Sequence, residues 1–535
     1  MSGEERQLLS GNEAIALAAY DADVALGVGY PGTPSTEILE NLAKLGGNAQ
    51  WSPNEKVALE VGIGVAYARS RTLVTMKHVG VNVAADPLFT VAYTGVDGGL
   101  VIISADDPGM HSSQNEQDNR RYAVAAGVPM LEPSDSQEAY DFTLAAFALS
   151  EQWRMPVMLR LTTRVCHSNS IVRQNPAPPK KPHYEKDVRG RVMIPGYARP
   201  AHKRLREKLK ELTAACEQSE LTVEHPGTGS TGIIASGVSF VHAREAAPDA
   251  PVLKLGMSHP LPIERLRAFA EKVERCVVIE EGDPYLYDAL RAEGIAVEGK
   301  PEMYRFGELS VERVRRILNH DVSEEPAAPP GKPPKLCASC PHRTAFSILS
   351  RNNCIVAGDI GCYTLGVMPP FEAMDTCVCM GASIGVGLGL RHALPKDEAK
   401  RVVSVIGDST FVHSGLTGIA EMAYNPPETG HVVLILDNGT TAMTGTQEHP
   451  GTGRKLDHSP TSKLDFERAI RGLGVLRVTT IDPMEDPEAF EKLILKELAS
   501  GELSVIIARR PCILMEKRQG SAKDAAPAAE SSNGQ

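Results

Sequence analysis

Short apolar runs alternate with helical stretches over the first third of the chain. The runs are ADVALGVGY, TLVTM, GLVIIS and PVMLRL, at residues 22–30, 72–76, 99–104 and 156–161, and each is bounded by Gly, Pro or Asp. Such runs are typical of buried strands, and strands that alternate with helices predict a parallel sheet covered on both faces. The pattern therefore predicts an α/β domain over residues 1–175.

The rest of the chain repeats this pattern after polar interruptions. Residues 176–230 form a predicted connector with a proline-rich start and a highly charged helix near residues 201–220, and residues 323–335 form a second, proline-rich linker. Between them, GIIAS, PVLKLG and RCVVIEEG predict an α/β domain at 231–322. In residues 336–515, VVSVIGD, HVVLILDN and LSVIIARR predict another, and residues 516–535 read as a disordered tail. The fold class is α/β, with several doubly wound, mostly parallel-sheet domains.

Composition narrows the class of protein. The 535 residues are 42% hydrophobic and 23% charged, and the net charge of −11 argues against a nucleic-acid partner. The N-terminus is polar, and no apolar run approaches the roughly 20 residues that a membrane span needs. We therefore expect a cytoplasmic protein without a membrane span. Its ten cysteines then point to metal binding or reduced core thiols rather than disulfides.

Two predicted strands of the last domain end in oxygen-bearing side chains. Gly407, Asp408 and Ser409 follow VVSVI, and Asn438 ends the next strand after an intervening helix. Magnesium prefers hard oxygen ligands and keeps diphosphate oxygens as partners. Asp408, Asn438 and a backbone carbonyl near Thr440 would supply the protein ligands, and Gly407 would let the backbone approach the diphosphate. The alternative is an aspartate that only caps the next helix.

Cysteine spacing points to a second metal site in the same domain. Cys337 and Cys340 form a C-x-x-C pair, Cys362 follows in an IGC turn, and Cys512 follows the last predicted strand. Thiolates suit zinc and iron–sulfur clusters equally, so spacing alone does not separate the two. The C-x-C pair at residues 377 and 379 could compete as ligands or be buried thiols. The isolated cysteines read as structural; they are Cys166, Cys216, Cys276 and Cys354.

Several long motifs carry a family resemblance that covers nearly the whole chain. They are GYPGTPSTEI, NEKVALEVGIG, TMKHVGVNVAADP, DDPGMHSSQNEQD, GDSTFVHSG and LDNGTTAMTGTQEHP. With these the chain resembles the large subunits of indolepyruvate:ferredoxin oxidoreductases and, more distantly, pyruvate and 2-oxoglutarate ferredoxin oxidoreductases. The resemblance implies a thiamine-diphosphate-binding fold, with residues 1–175 as the pyrimidine-binding domain, 231–322 as a transketolase C-terminal-like domain and 336–515 as the diphosphate-binding domain.

The resemblance also implies one 4Fe–4S cluster. Relatives hold a cluster with a C-x-x-C pair, a cysteine in an IGC turn and a distant fourth cysteine, which match Cys337, Cys340, Cys362 and Cys512. Where relatives commonly read CPGC, this chain reads CASC, which loses no ligand. Many relatives end in a ferredoxin-like domain that is not seen after Cys512, so one cluster rather than three is expected. Cys377 or Cys379 remains an alternative fourth ligand.

The family's activating glutamate maps to the first domain. In relatives it hydrogen-bonds the aminopyrimidine of the cofactor and promotes loss of the thiazolium proton. Glu55 matches that position because Gly62 and Gly64 then fall where relatives have small residues. Glu60 is the rival, and either could be a solvated helix residue.

Other residues are candidates for contact with the substrate. Thr33 matches a family threonine near the substrate carbonyl, although it could instead cap the following helix, a role that Ser35 could also fill. An acidic protein that handles a 2-oxoacid needs local positive charge in its pocket. The candidates for substrate or catalytic contact near the cofactor are Lys77, His78, His111 and His413.

The implied reaction is oxidative decarboxylation of a 2-oxoacid, such as indolepyruvate, to an acyl-CoA and carbon dioxide. Electrons would pass through the cluster to ferredoxin or another carrier. The implied partner is a smaller subunit that resembles the gamma domain of the pyruvate enzymes, which predicts a hetero-oligomer. One rival is a non-redox thiamine-dependent decarboxylase or carboligase without a cluster. Another is a non-catalytic assembly subunit that binds zinc.

Overall fold

The structure is a computed structural model that describes residues 6–176, 178, 181–326 and 334–515. It divides into two compact units, residues 1–327 and 328–535. The division falls inside the stretch predicted as the linker 323–335. The predicted tail 516–535 lies outside the described residues, as do residues 327–333 of the linker.

A seven-stranded sheet forms the centre of the first unit. Its strand order is β12-β6-β7-β5-β4-β2-β3, and all neighbours are parallel except β12 and β6. The strands are β2 (Leu26–Gly29), β3 (Ala49–Trp51), β4 (Thr72–Lys77), β5 (Leu100–Asp106), β6 (Met130–Leu131), β7 (Val157–Thr162) and β12 (Met257–His259). A separate antiparallel pair consists of β1 (Arg6–Ser10) and β8 (Asn169–Arg173).

Helices surround this sheet and begin at side-chain caps. Ser10 and Glu13 form a capping box on α1, Asn54 caps α3, and Asp135 caps α7. The helices are α1 (Gly11–Asp21), α2 (Thr36–Lys44), α3 (Glu55–Tyr67), α4 (His78–Val83), α5 (Ala85–Thr94), α6 (Arg120–Ala126), α7 (Ser136–Trp153) and α8 (Thr163–His167). The sheet's inner strands are buried on both faces, which explains their unbroken apolar runs.

The stretch predicted as a connector is more structured than a linker. It contains α9 (Val188–Arg191) and α10 (Pro195–Cys216), and Leu205 and Leu212 of α10 join the hydrophobic core of the first sheet. Its last part is β9 (Thr222–His225), which pairs antiparallel with β11 (Val252–Leu255) of the next sheet. The predicted helix near residues 201–220 therefore begins earlier than expected, because its apolar stripe packs against the first domain.

A four-stranded sheet, in the order β13-β10-β11-β9, follows within the same unit. Its strands besides β9 are β10 (Thr231–Ser236), β11 (Val252–Leu255) and β13 (Arg275–Ile279). Its helices are α11 (Val238–Ala246), α12 (Ile263–Glu271), α13 (Tyr285–Ala292) and α14 (Val311–Leu318). Separate apolar clusters lie on the two faces, so the sheet is covered on both sides. β12, from the predicted 231–322 domain, instead joins the first sheet.

Buried ion pairs connect these two sheets. Arg120 is fully buried and pairs with Asp118 beside the first sheet and, at 2.8 Å, with Glu280 at the end of β13. Arg160 of β7 pairs with Asp106 at 2.7 Å and with Glu132 at 2.9 Å. Each buried guanidinium thus has at least two carboxylate partners, which offsets the cost of taking these charges out of water.

The second unit is built on a six-stranded, fully parallel sheet in the order β15-β14-β16-β17-β19-β18. The strands are β14 (Ile355–Gly358), β15 (Thr376–Cys377), β16 (Val402–Gly407), β17 (His431–Asp437), β18 (Arg477–Ile481) and β19 (Leu503–Arg509). The helices are α15 (His342–Arg351), α16 (Ala382–Ala393), α17 (Lys396–Ala399), α18 (Asp408–Thr410), α19 (Leu416–Tyr424), α20 (Phe466–Gly472) and α21 (Pro487–Ser500). Apolar clusters cover both faces, and β16 and β17 occupy the centre.

The fold class predicted from the sequence is confirmed: both units are built on mostly parallel sheets covered by helices. No helix in the described part of the chain is long and apolar enough to span a membrane.

Candidate functional site

The ends of β16 and β17 lie side by side in the second unit. The two strands are parallel neighbours, with Gly407 opposite Leu436. Asp408 follows β16 and Asn438 follows β17, and both side chains are largely buried. The backbone N–H of Gly439 donates to Oδ2 of Asp408 at 2.8 Å, so the two strand ends are directly bonded. Open α/β sheets bind ligands at this edge.

Asp408 is held in its charged form. Its carboxylate accepts hydrogen bonds from the Ser409 N–H at 2.9 Å and from Nε2 of His449 at 3.2 Å. Burial by itself would raise the pKa of Asp408, but His449 and the backbone donors outweigh it and hold the pKa below its usual value. A buried anion at a strand edge fits a diphosphate-bound cation.

Asn438 is oriented by contacts on both ends of its amide. Oδ1 accepts the Thr440 N–H at 3.2 Å, and Nδ2 lies 3.3 Å from Nε2 of His342. The Thr440 hydroxyl donates to the carbonyl of Gln447 at 3.2 Å. The oxygen donors Asp408 and Asn438 are therefore fixed at neighbouring strand ends, as a magnesium–diphosphate site needs.

Gly407 is required by a close contact. A Cβ atom at this position would lie 2.5 Å from the ring of Tyr363. The neighbouring Ser409 hydroxyl accepts a hydrogen bond from the Thr441 hydroxyl at 2.8 Å. The glycine predicted to allow a diphosphate approach thus also allows the residue after Cys362 to pack against the strand end.

Charges on the predicted cluster cysteines affect the thiol pKa values of Cys340 and Cys362. Burial raises the pKa of the Cys362 thiol to about 11, and the neighbouring Cys512, Cys340 and Cys337 raise it further. Burial likewise raises the pKa of Cys340 to about 11, with contributions from Cys337 and Cys512. Thiols with such values need a cationic partner to stay deprotonated. Among the residues that the structure describes, no three His, Cys, Asp or Glu side chains form a group that could hold a metal ion.

The alternative cysteines have different neighbours. Cys377 and Cys379 are exposed, and burial followed by the charge of Asp359 raises the pKa of both thiols. The contributions to the pKa of Cys362 come instead from Cys512, Cys340 and Cys337. Cys512 therefore stays the predicted fourth ligand, with the C-x-C pair as the alternative.

Segments that carry predicted cluster cysteines contact the end of β17. The Cys512 N–H donates to the Asn438 carbonyl at 2.9 Å. His342, two residues after Cys340, packs edge-on against Tyr363 with ring centroids 6.1 Å apart. Burial lowers the pKa of His342 to about 4, against the opposing effect of Asp408, so its imidazole is neutral. A neutral Nε2 can accept the hydrogen bond from the Asn438 amide.

His413 also lies in the second unit. It is buried in a π-helical turn that spans Phe411–Gly415, and its Nδ1 lies 2.6 Å from the Ser414 hydroxyl. π-helical turns inside helices are frequent at functional sites.

The two candidate glutamates of the first unit differ in burial. Glu55 is the first residue of α3 and is 5% exposed, and its carboxylate packs against Gly80, where a Cβ would lie 2.7 Å from it. Glu60 lies one turn later with a side chain that is 44% exposed and paired with Lys56. Only Glu55 has the sheltered position that an acid–base group for a buried cofactor ring needs.

Thr33 and Lys77 are brought together through Ser112. The Lys77 ammonium, at the end of β4, donates to the Ser112 carbonyl at 2.7 Å, and the Ser112 hydroxyl lies 3.4 Å from the Thr33 carbonyl. Burial lowers the pKa of Lys77 to about 8, opposed by Asp107. Ser35, not Thr33, precedes α2, and its hydroxyl donates to the Gly32 carbonyl rather than capping the helix.

The two other substrate candidates have different partners. His78 is fully buried, and its Nε2 lies 3.1 Å from the Asn115 carbonyl. The His111 side chain is 55% exposed and lies 3.7 Å from Glu308. Lys77 therefore shares Ser112 with Thr33, whereas the contacts of the two histidines are with Asn115 and Glu308.

Sequence reasoning missed two residues of the second-unit site. His342 contacts Asn438 and His449 contacts Asp408, and neither was assigned a role, although CPHR overlaps the C-x-x-C pair and QEHP ends a quoted motif. Each is a single histidine next to a proline, and such a signal is too weak to assign a role without the fold.

Family models match both units. Residues 17–210 match the model described as "Pyruvate flavodoxin/ferredoxin oxidoreductase, thiamine diP-bdg". Residues 359–508 match "Thiamine pyrophosphate enzyme, C-terminal TPP binding domain". Together with the strand-end site, these matches place the chain in the class of thiamine-diphosphate-dependent 2-oxoacid oxidoreductases.

Curated relatives narrow the class to one family. Indolepyruvate oxidoreductase subunit IorA of Archaeoglobus fulgidus is 39% identical, over 96% of this chain and 88% of its own length. The protein of the same name from Methanothermobacter marburgensis is 40% identical over the same shares. The chain belongs to the IorA family of large 2-oxoacid oxidoreductase subunits.

A solved structure supports the fold alone. The 2-oxoglutarate:ferredoxin oxidoreductase from Magnetococcus marinus is 16% identical and superposes with a TM-score of 0.51, over 60% of this chain and 66% of that one.

Proposed function

We propose that this chain oxidatively decarboxylates an aryl pyruvate such as indolepyruvate, with coenzyme A as the acyl acceptor. Electrons would pass through one 4Fe–4S cluster to ferredoxin or another carrier. The observation that carries this is the hydrogen bond between the Cys512 N–H and the Asn438 carbonyl, because it joins the backbone of a predicted cluster ligand to that of a predicted magnesium ligand. The names of the relatives support the substrate class.

In this proposal Asp408, Asn438 and the backbone carbonyl of Thr440 hold magnesium, and Gly407 and Ser409 lie against the diphosphate. The fit rests on the charged state of Asp408 and the fixed amide of Asn438. Bound thiamine diphosphate would supply the carbanion chemistry that a 2-oxoacid needs to lose its carboxylate as carbon dioxide; the acyl group that remains would go to coenzyme A and the two electrons to the carrier.

Residues of the first unit would transfer protons and bind the substrate. Glu55 exchanges a proton with the aminopyrimidine, since its buried carboxylate has little competition from water. Thr33 lies near the 2-oxo group and Lys77 pairs with the carboxylate, with His78 and His111 as weaker candidates for that charge. His413 would act on the diphosphate-binding side as a proton donor or acceptor.

Cys337, Cys340, Cys362 and Cys512 would hold the cluster. The assignment rests on the resemblance to relatives and on the fact that four thiolates complete a cubane without other ligands; charges on the other three cysteines also raise the pKa of the Cys362 thiol. Reduced thiols agree with a cytoplasmic location. The chain would work with a smaller subunit that resembles the gamma domain of the pyruvate enzymes.

The test is anaerobic carbon dioxide release from a panel of 2-oxoacids, with coenzyme A and benzyl viologen, by the chain co-purified with its small subunit. We expect dye reduction that depends on thiamine diphosphate and is fastest with aryl pyruvates. Carbon dioxide release without dye reduction, from protein that lacks iron, would instead establish the non-redox decarboxylase. One zinc per chain with no thiamine diphosphate bound would establish the assembly subunit.

A further inference from the structure

Helix α10 has two opposite faces of different chemistry. Ala201, Leu205 and Leu212 form its buried stripe, and the two leucines pack in the core of the first sheet. A second stripe lies on the opposite side at spacings of four, three and four residues, which keep side chains on one helix face. Its members, all exposed, are Arg199, Lys203, Arg206 and Lys210. We call these four residues the cationic stripe.

The cationic stripe belongs to the most basic stretch near the middle of the chain. Residues 181–210 contain ten lysines and arginines against three carboxylates, in a chain whose net charge is −11. The crowding of positive charge affects the pKa of Lys208, which lies beside the stripe. Burial lowers the pKa of Lys208, and the neighbouring Arg154 and Arg204 lower it further. The region therefore carries a local positive potential against an acidic background.

The cationic stripe has almost no internal partners. Lys203 lies 3.9 Å from Glu207, a solvent-exposed pair of little strength. Within the described part of the chain, no carboxylate pairs with Arg199, Arg206 or Lys210. Four aligned cations are thus left to attract an external anion.

The same face lacks the apolar area of a permanent interface. The exposed large hydrophobic residues of the described chain include Ile194 just before α10 and Val223 after it, and none within the helix. Obligate subunit interfaces are large and apolar, whereas transient encounters are steered by complementary charge. The surface fits a partner that binds briefly through carboxylates.

We propose that the cationic stripe docks an acidic electron-carrier protein of the ferredoxin type. This rests on the proposed function, which needs a soluble acceptor to collect electrons one at a time. Charge complementarity selects the occupant: an acidic carrier meets four aligned cations, of which Lys203 has only a weak, exposed pair with Glu207, while the acidic remainder of the chain repels it elsewhere. Steering of this kind raises association rates by about 10- to 1,000-fold at low ionic strength.

The test compares two quadruple variants of the holoenzyme with its small subunit. The first changes each residue of the cationic stripe to Glu, which keeps a helix-forming residue at every position. The matched control makes the same charge change at four exposed lysines of the second unit, Lys396, Lys400, Lys492 and Lys496. The probes are a 2[4Fe–4S] ferredoxin and benzyl viologen, a dye small enough to need no docking surface.

We expect the stripe variant to lose about tenfold or more of its kcat/KM for ferredoxin at low salt and to keep its rate with the dye. The loss should largely vanish at about 0.5 M salt, where screening acts within a few ångströms. Equal losses in stripe and control variants, or a wild-type kcat/KM for ferredoxin that does not change with salt, would overturn the proposal. A changed oligomeric state in sedimentation would assign the stripe to a contact between copies and also overturn it.

Two further measurements separate a failure of the docking proposal from a general loss of activity and from a failure of the proposed function. If the quadruple variant loses dye reduction as well, the milder Lys203→Gln/Arg206→Gln double variant is measured, with an expected loss of about threefold for ferredoxin alone. If the wild type reduces neither dye nor ferredoxin, the proposed function fails. If it reduces both and the stripe variants match it, only the docking proposal fails.

Discussion

The Nδ2 atom of Asn438 lies 3.3 Å from Nε2 of His342. The contact joins an amide at the cofactor strand end to an imidazole that follows the C-x-x-C loop. The backbone of Asn438 meets the same set of loops, because its carbonyl accepts the Cys512 N–H at 2.9 Å. Asn438 is therefore held from both sides by segments that carry the proposed cluster ligands.

Replacing His342 should weaken cofactor binding. In His342→Ala the Asn438 amide loses its partner, and loss of about one buried hydrogen bond predicts a roughly tenfold higher Kd for magnesium thiamine diphosphate. His342→Gln should recover part of the affinity because its side chain can accept the same hydrogen bond. Calorimetric titration measures this, with the exposed His392→Ala as the control. An unchanged Kd in His342→Ala would refute the positioning role.

Replacing Asp408 or Asn438 should abolish cofactor binding outright. Asp408→Ala removes the buried anion and Asn438→Ala the second oxygen donor, while the strands that carry them stay intact. We expect purified variants with native circular dichroism and no retained thiamine diphosphate, measured by its fluorescent oxidation product. Wild-type cofactor content in either variant would contradict the site.

Glu55 and Glu60 form a matched pair for the proton-transfer role. Glu55→Gln should retain cofactor and iron but lose about 100- to 10,000-fold in turnover, because an acid–base group is lost rather than a binding group. Glu60→Gln removes only a solvent-exposed pair with Lys56 and should retain its activity. Dye-coupled turnover measures both, and the reverse result would reassign the role to Glu60.

Lys77 should make substrate capture depend on pH. Its pKa is lowered to about 8 from the usual 10.5, so the ammonium proposed to pair with the substrate carboxylate is lost above about pH 8. We expect kcat/KM to fall above that pH, through a rise in KM. In Lys77→Met the KM should be high at every pH and this fall should be absent, and in Lys77→Arg the fall should move to higher pH.

The same shift affects stability with a definite sign. Between about pH 8 and 10.5 the unfolded chain holds a proton on Lys77 that the folded chain has lost, so the free energy of unfolding rises with pH across this window. Lys77→Met should lack that rise. Urea unfolding at several pH values measures it, and identical slopes for both proteins would contradict the buried amine.

Iron content distinguishes the fourth cysteine ligand. Single Cys→Ala variants at positions 337, 340, 362 and 512, purified without oxygen, should each fall well below four irons per chain. Cys377→Ala should retain the wild-type content because its thiol neighbours Asp359 and Cys379 instead of the four. Full iron in Cys512→Ala together with a loss in Cys377→Ala or Cys379→Ala would show that the ligand is misassigned.

Adjacent arginines should differ sharply in their effect on stability. Arg120→Met leaves Asp118 and Glu280 buried without their cation, which costs about 3–5 kcal/mol. Arg121 lies over the same Tyr285 ring, but its pair with Asp288 is half exposed, so Arg121→Met should cost under about 1 kcal/mol. Denaturant unfolding of the two variants measures the difference, and similar losses would contradict the buried network.

The sequence predicted most of the second-unit sheet because its central strands are buried on both faces and read as unbroken apolar runs. It also predicted that Asp408 and Asn438 would meet, since parallel strand ends share an edge. It did not predict the contact of His342 with Asn438, 96 residues away, or that of His449 with Asp408, 41 residues away. No periodicity links positions so far apart, and only the folded loops bring them together.

Other differences come from short or mixed segments. β6 has two residues and β12 has three, which is too few for an alternation of apolar and polar residues to be recognised. The charged helix α10 was read as part of a connector because its apolar stripe is narrow, although that stripe joins the first core. The boundary predicted at residue 231 also does not separate the strands of the two sheets. β9 lies before it and pairs with β11 of the four-stranded sheet, whereas β12 lies after it and pairs with β6 of the seven-stranded sheet.

The pairing of β12 with β6 has a consequence for synthesis on the ribosome. Met130 and Leu131 emerge long before Met257, the partner of Leu131 in that pair. At about 5–20 residues per second, the delay is on the order of ten seconds. During this delay β6 leaves an unpaired backbone edge on the nascent sheet, and such an edge is a template for wrong strand addition. Slow translation through residues 131–257 would therefore lengthen the period in which this chain is open to aggregation and to chaperone capture.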